Sequence, residues 1–124
     1  MKCFKRQEFV ICGYVPSTIA AKGVGSLVLG YYQDGLLIHA GRVGTGFSDK
    51  VAAEIHRRLE AIRIPKSPFA RKLARIDAKD VRFVEPQLVC EVEFRGWSSD
   101  GLVWHASFQG LREDKRPEEV VREG

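Results

Sequence analysis

The sequence predicts a mainly β fold, a small antiparallel barrel with one inserted helix, on three observations. Short β-branched and aromatic runs recur along the chain, two of them joined by an Asp-Gly turn. A single segment, residues 49–62, repeats its apolar residues at helical spacing instead. The chain has 124 residues, 44% hydrophobic and 29% charged, the size of one domain able to bury a core. Five or six short strands in so small a chain leave open sheet edges unless they close on themselves, so a barrel is expected.

Phe9-Val10-Ile11-Cys12-Gly13-Tyr14 is the first expected strand, ended by Val15-Pro16-Ser17-Thr18, with a flexible connection following through Gly25. Residues 26–32 and 36–43 are the next two, joined by Gln33-Asp34-Gly35. Gly30 inside a strand marks a bulge or a barrel bend. Ser48 can cap a helix and Asp49 suits its positive end; Val51, Ala52, Ile55, Leu59 and Ile62 then share one face. Ile64-Pro65 ends it and a long connection follows. Residues 81–84 form a short strand. Leu88 to Phe94 alternates, with Cys90, Val92 and Phe94 inward and Glu91 and Glu93 outward. Trp97-Ser98-Ser99-Asp100-Gly101 turns the chain into a last strand whose inward face is Leu102, Trp104, Ala106 and Phe108. Beyond Gly110 comes a charged tail with a short helix starting at Pro117. The order β-β-β-α-β-β is that of an oligonucleotide-binding (OB) fold.

Composition removes several function classes. No apolar run approaches the roughly 18 residues of a membrane span, and no signal-peptide core follows Met1-Lys2-Cys3. Cys3, Cys12 and Cys90 form no Cys-x-x-Cys pair and read as reduced thiols of a cytoplasmic protein. His39, His56 and His105 are scattered without a second ligand at metal-binding spacing. No nucleophile is paired with a base, and Glu91 and Glu93 read as a soluble sheet face.

What remains is anion-binding chemistry. Net charge is +4, but nine basic residues lie between Arg57 and Arg82, opposed only by Glu60, Asp77 and Asp80. Such a stripe suits a polyanion, or a solvated helix face followed by a charged loop. Arg42 and the cluster Arg112, Lys115 and Arg116 add to it. The stretch Gly41-Arg42-Val43-Gly44-Thr45-Gly46-Phe47-Ser48-Asp49 joins the third strand to the helix. It has the outline of a Walker phosphate loop, with Phe47 where that loop requires lysine. A dinucleotide fingerprint would need a parallel βαβ unit, which the hairpins exclude.

Gly44-Thr45-Gly46-Phe47-Ser48-Asp49 after a strand, with Arg112-Glu113-Asp114-Lys115 near the end, resembles the C-terminal OB domain of ATP-dependent DNA ligases. Gln7-Glu8-Phe9-Val10-Ile11, Glu85-Pro86-Gln87-Leu88-Val89 and Phe108-Gln109-Gly110-Leu111-Arg112 resemble the bacterial ligase D type, which joins double-strand breaks end to end. The resemblance runs from Lys2 to Glu123. It implies a single OB domain over residues 1–124, with 1–8 a remnant of a preceding nucleotidyltransferase domain and 111–124 a motif VI tail.

The resemblance also implies residue roles. Arg112, Asp114 and Lys115 match motif VI, which contacts the β- and γ-phosphates of ATP during self-adenylylation; all three thereby count as catalytic, and Arg112 and Lys115 also as cofactor-binding. Lys2 falls at the second lysine of motif V, a ligand of the nucleotide α-phosphate. Phe47 matches an aromatic that packs into the DNA minor groove near the nick, with Gly44, Thr45 and Gly46 approaching it and Arg42 and Lys50 meeting phosphates. The family's nucleophile is the lysine of a K-x-D-G motif in an upstream domain. Here Tyr32 and Ser98 stand at the lysine position before Asp34-Gly35 and Asp100-Gly101, so the chain alone is expected to be inactive. The implied partners are nicked duplex DNA and the nucleotidyltransferase domain of the same polypeptide, with ATP and Mg as cofactors of the full enzyme. The isolated domain is expected to be a monomer, cytoplasmic and nucleoid-associated in a bacterium. Two other readings compete. A single-strand-binding OB module would use Tyr31, Tyr32, Trp97 and Trp104 as stacking platforms; a capping-enzyme or RNA-ligase domain would share the tail chemistry.

Overall fold

A computed structural model describes residues 4–18 and 23–122. Lys2, to which the resemblance gives an α-phosphate role, lies outside them. The chain forms β1 (Lys5–Pro16), β2 (Val24–Gln33), β3 (Leu36–Val43), α1 (Asp49–Glu60), a one-turn α2 (Arg75–Ala78), β4 (Arg82–Phe83) and β5 (Val89–Phe94). A small hairpin, β6 (Gly96–Trp97) and β7 (Val103–Trp104), precedes β8 (Ser107–Arg112) and a terminal 3-10 turn, Pro117–Glu119.

The main sheet runs β3-β2-β1-β5-β8 with β4 also on β1, and every pairing is antiparallel. The mainly β architecture with one principal helix is the one expected. Its sheet, however, is not closed into a barrel: the path ends at β3 and β8, with no ladder between them among the described residues. β3 stops pairing at Val43 because the glycine stretch turns away into α1. Two hydrogen bonds span the gap instead. The Phe108 N–H donates to the Thr45 carbonyl (2.8 Å), and Thr45 Oγ1 donates to the Ala106 carbonyl (3.0 Å).

Local chemistry accounts for most elements. Asp34 and Gly35 both take positive φ (54° and 79°), the backbone of a tight hairpin turn whose twist matches its strands. A register shift between Leu29 and Gly30 makes the expected bulge, and a Cβ at Gly30 would lie 2.8 Å from Cys12 Sγ. Ser48 Oγ accepts from the Val51 N–H (3.2 Å), while Asp49 opens α1 and Arg57 and Arg58 close it, each charge matching its end of the helix dipole. Ile55 and Leu59 are fully buried against the sheet, whose inner face supplies Phe9, Ile11, Leu29, Val92 and Phe94. Val51, expected on that buried face, is 37% exposed at the helix start. Cys12 and Cys90 are free and buried; burial pushes both thiols up, Cys12 further so by its neighbour Cys90, which makes them unreactive core residues.

The last strand corrects a further expectation. The last strand is not continuous: His105 adopts φ 54°, which breaks it into β7 and β8 and reverses which residues face inward. Val103 is therefore buried and Trp104 is 44% exposed, opposite to the expected alternation, while Phe108 is buried as expected. Period-2 reading fails wherever a left-handed residue resets the phase. The long connection after α1 is packed: Phe69 enters the core and the Ala70 N–H donates to the Leu37 carbonyl (3.0 Å). The tail is tied to the sheet: β8 extends to Arg112, and Val120 is buried, its carbonyl accepting from the Tyr32 N–H (2.8 Å). At the other end, Lys5–Glu8 form the opening of β1 and pair with β5.

Candidate functional site

The two groups of residues singled out from the sequence sit at opposite ends of β8. Phe108, near its start, carries the glycine stretch; Arg112, its last residue, opens the tail. Four residues of extended chain separate them, about 13 Å.

At the first end, Gly46 has φ 93° and lies flat against β8. A Cβ there would stand 2.4 Å from the Phe108 carbonyl oxygen and 2.7 Å from its nitrogen. The close approach for which Gly46 is needed is therefore to this chain's own strand. Phe47 is half-buried and stacks on Phe108, ring centroids 4.8 Å apart and planes 30° from parallel. Gly44, Thr45, Gly46 and Lys50 are exposed around it. Arg42 is half-buried and donates from Nη2 to the carbonyl of Asp77 (2.7 Å), tying β3 to α2. An open cleft of about 900 Å³ lies beside Gly46 between α1 and β8, lined by Lys50, Val51, Arg57, Phe108 and Leu111.

At the other end, the tail cations meet carboxylates of the sheet. Glu8 on β1 and Glu91 on β5 are register partners. Two like charges directly opposite would repel unless something bridged them. Arg112 does so, donating from Nη1 to Glu91 Oε1 (3.0 Å) and Glu8 Oε2 (3.3 Å). Its Nε and Nη2 donate to the two oxygens of Asp114, each at 3.3 Å. Arg6 bonds the second oxygen of Glu91, and Lys115 Nζ lies 3.7 Å from Glu8 Oε1. Arg58, from the end of α1, pairs with Glu113 at 2.5 Å. Arg58, Arg112 and Lys115 face one small cleft of about 180 Å³ floored by Leu88 and Val89.

The charges shift one another as this geometry requires. Partial burial alone would push the Glu91 carboxyl up, but hydrogen bonds from Arg112 and Arg6 more than reverse it and hold it below the usual carboxylate range. The bond from Arg112 lowers Asp114, and the Tyr14 hydroxyl lowers Glu60. Depressed carboxylates take up protons more readily in the unfolded chain. Stability fully present above the ordinary carboxylate range is therefore expected to drain away as pH falls through that range and on through the lowered folded-state values. Thermal melts across that window check it; a flat profile would mean these ion pairs contribute nothing to folding.

In the basic stripe, Arg57 pairs with Glu54 within α1 and Arg63, just past the helix end, pairs with Glu60, whereas among the described residues no carboxylate lies in ion-pair range of Lys66, Arg71, Lys72, Arg75, Lys79 or Arg82. Of the aromatic platforms considered for single strands, Tyr31 is buried. Trp97 packs among Phe9, Tyr31 and Phe94 with Arg122 over its ring, and only Trp104 is well exposed. Sequence reasoning had missed Glu8, Glu91 and Phe108 as partners of the predicted site residues. Glu91 had looked like ordinary sheet surface because strand register, which brings it opposite Glu8, is invisible in the chain. The described residues gather no group of three metal-ligating side chains, and no helix among them is long and apolar enough to cross a membrane.

Residues 20–115 match the family model described as the C-terminal region of ATP-dependent DNA ligases. The multifunctional non-homologous end joining DNA repair protein LigD of Mycobacterium tuberculosis is 42% identical over 123 residues, covering 98% of this chain and 16% of that protein. The chain thus spans about a sixth of the curated relatives it matches. The crystal structure of the ligase domain from M. tuberculosis LigD superposes with a TM-score of 0.93 at 42% identity, over 98% of this chain and 40% of that one. A mycobacterial DNA ligase D complexed with ATP and MES gives 0.84 at 42% identity, over 97% of this chain and 38% of that one.

Proposed function

We propose, since this chain belongs to the family of ATP-dependent DNA ligase C-terminal regions, that it is the OB domain of a ligase D-type enzyme serving two substrates from the two ends of β8. The tail end serves ATP. Arg112 and Lys115 would donate to the β- and γ-phosphates while the upstream nucleotidyltransferase domain takes the adenylate, and Asp114 would orient the guanidinium through its paired bonds. The physical task is stabilising pyrophosphate as its negative charge grows on departure, for which fixed cations are suited. The observation that carries this reading is the gathering of Arg58, Arg112 and Lys115 around one small cleft at the sheet's edge. That donor set fits a polyphosphate. It offers no cage for a divalent cation, so no step is assigned to Mg in this domain.

The glycine-stretch end would face nicked duplex DNA. Phe47 would present its ring to the minor groove from a platform made by Phe108, with Lys50 and Arg42 toward phosphates. The unpaired part of the basic stripe supports a polyanionic partner. Within this reading the parent enzyme joins DNA ends in the bacterial cytoplasm, at the nucleoid, and the chain needs its nucleotidyltransferase domain to act.

Changing Phe47→Ala in a polypeptide that also carries that domain is expected to leave self-adenylylation from labelled ATP intact while weakening nick sealing about tenfold. Equal activity in both assays would reduce the stretch to a strand connection. A titration of nicked duplex against single strand separates this reading from a single-strand-binding module, which the burial of Tyr31 and the packing of Trp97 among Phe9, Tyr31 and Phe94 already disfavour; preference for nicked duplex is expected.

A further inference from the structure

Arg112 has little hydrogen-bonding capacity to spare. A guanidinium carries five N–H donors. Nη1 donates to both Glu8 and Glu91, and Nε and Nη2 each donate to Asp114, which accounts for four of them. Lys115 is drawn toward the same Glu8. Glu8 and Glu91 are largely shielded, their side chains 21% and 19% exposed, and they project from two adjacent strands of a rigid sheet rather than from the tail. Carboxylates so held make a fixed anionic socket, and a phosphate seeking Arg112 must compete with it.

We propose that Glu8 and Glu91 are positioning residues that park the tail cations on the sheet, and that the phosphates of ATP draw Arg112 and Lys115 off by exchanging one set of anionic partners for another. This rests on the reading of Arg112 and Lys115 as ATP-phosphate ligands. The socket does two things. It keeps the guanidinium ordered at the rim of the cleft, and it sets the affinity threshold that ATP must exceed, because every hydrogen bond made to a phosphate oxygen is one withdrawn from a carboxylate. Asp114 travels with Arg112 on the tail and is not part of the threshold.

Glu8→Gln keeps the side chain's shape and removes the competing charge. In a polypeptide with the nucleotidyltransferase domain, the KM for ATP in self-adenylylation is expected to fall roughly two- to fivefold, the scale of one partly exposed ion pair. The maximal rate should stay unchanged. Glu91→Gln should act in the same direction, and high salt should shrink both effects. Glu93→Gln is the control, since it removes the same charge two residues along β5. A KM that is unchanged or raised in Glu8→Gln and Glu91→Gln, or that falls equally in Glu93→Gln, overturns the proposal. Arg112→Ala keeps the two levels apart. If it leaves adenylylation untouched, the ATP reading fails and the socket with it; if it cripples adenylylation while both glutamine variants keep the wild-type KM, the socket alone fails.

Discussion

Gly46→Ala is expected to destabilise the domain by about 2–4 kcal/mol, a drop of roughly 10 °C in its melting midpoint. Two effects add. A left-handed backbone is unfavourable for any residue with a Cβ, by about 1–2 kcal/mol. The new Cβ would also meet the backbone of Phe108 at 2.4 and 2.7 Å, distances at which something must move. That something is not a flexible side chain: Phe108 is buried in β8 and stacked on Phe47. Relief would have to break the Thr45–Phe108 hydrogen bond that ties the two sheet edges together. Gly35→Ala isolates the first effect, because Gly35 also has positive φ but nothing lies within 4 Å of its would-be Cβ. It should lose only about 1 kcal/mol. Equal losses at the two positions would show that the stretch is not pressed against β8.

The second large effect is chemical. Arg112→Ala should slow self-adenylylation at least about 10²-fold, the usual consequence of removing one fixed donor from a developing anion. Its influence on folding should be far smaller, because the guanidinium is over a third exposed and its ion pairs are partly solvated. Some indirect loss is still expected, since Glu8 and Glu91 would be left facing each other. Arg112→Lys should not rescue the rate, because an ammonium lacks the planar fork that bonds both oxygens of Asp114 while keeping further donors for phosphate oxygens.

How far the chain could be read depended on whether each signal was local. The Asp34-Gly35 hairpin, the Ser48 cap and the Ile55/Leu59 face are written in neighbouring residues, and the structure contains them. Trp104 was misplaced because one left-handed residue, His105, resets the alternation, and no local signal marks it. Closure was overestimated for a related reason. Edge avoidance argues for a barrel in general, but here one hydrogen bond accepted by Thr45 and one donated by it stand in for a ladder. Phe47 was legible as unusual; its platform Phe108, sixty-one residues away, was not. Glu8 and Glu91 belong to the same class of omission, since only register sets them opposite each other beneath Arg112. The glycines changed meaning most: Gly46 makes room for β8 of the same chain, while Phe47 stays half-buried among the exposed Gly44, Thr45 and Lys50.

The most direct measurement is single-turnover transfer of label from ATP to the protein, made on Arg112→Ala in a polypeptide carrying the nucleotidyltransferase domain, with folding verified alongside. The account predicts a rate at least about a hundredfold below the unaltered protein, with the fold intact. A folded Arg112→Ala protein that takes up label within about twofold of the normal rate would contradict it, and β8 would then have no part in handling ATP.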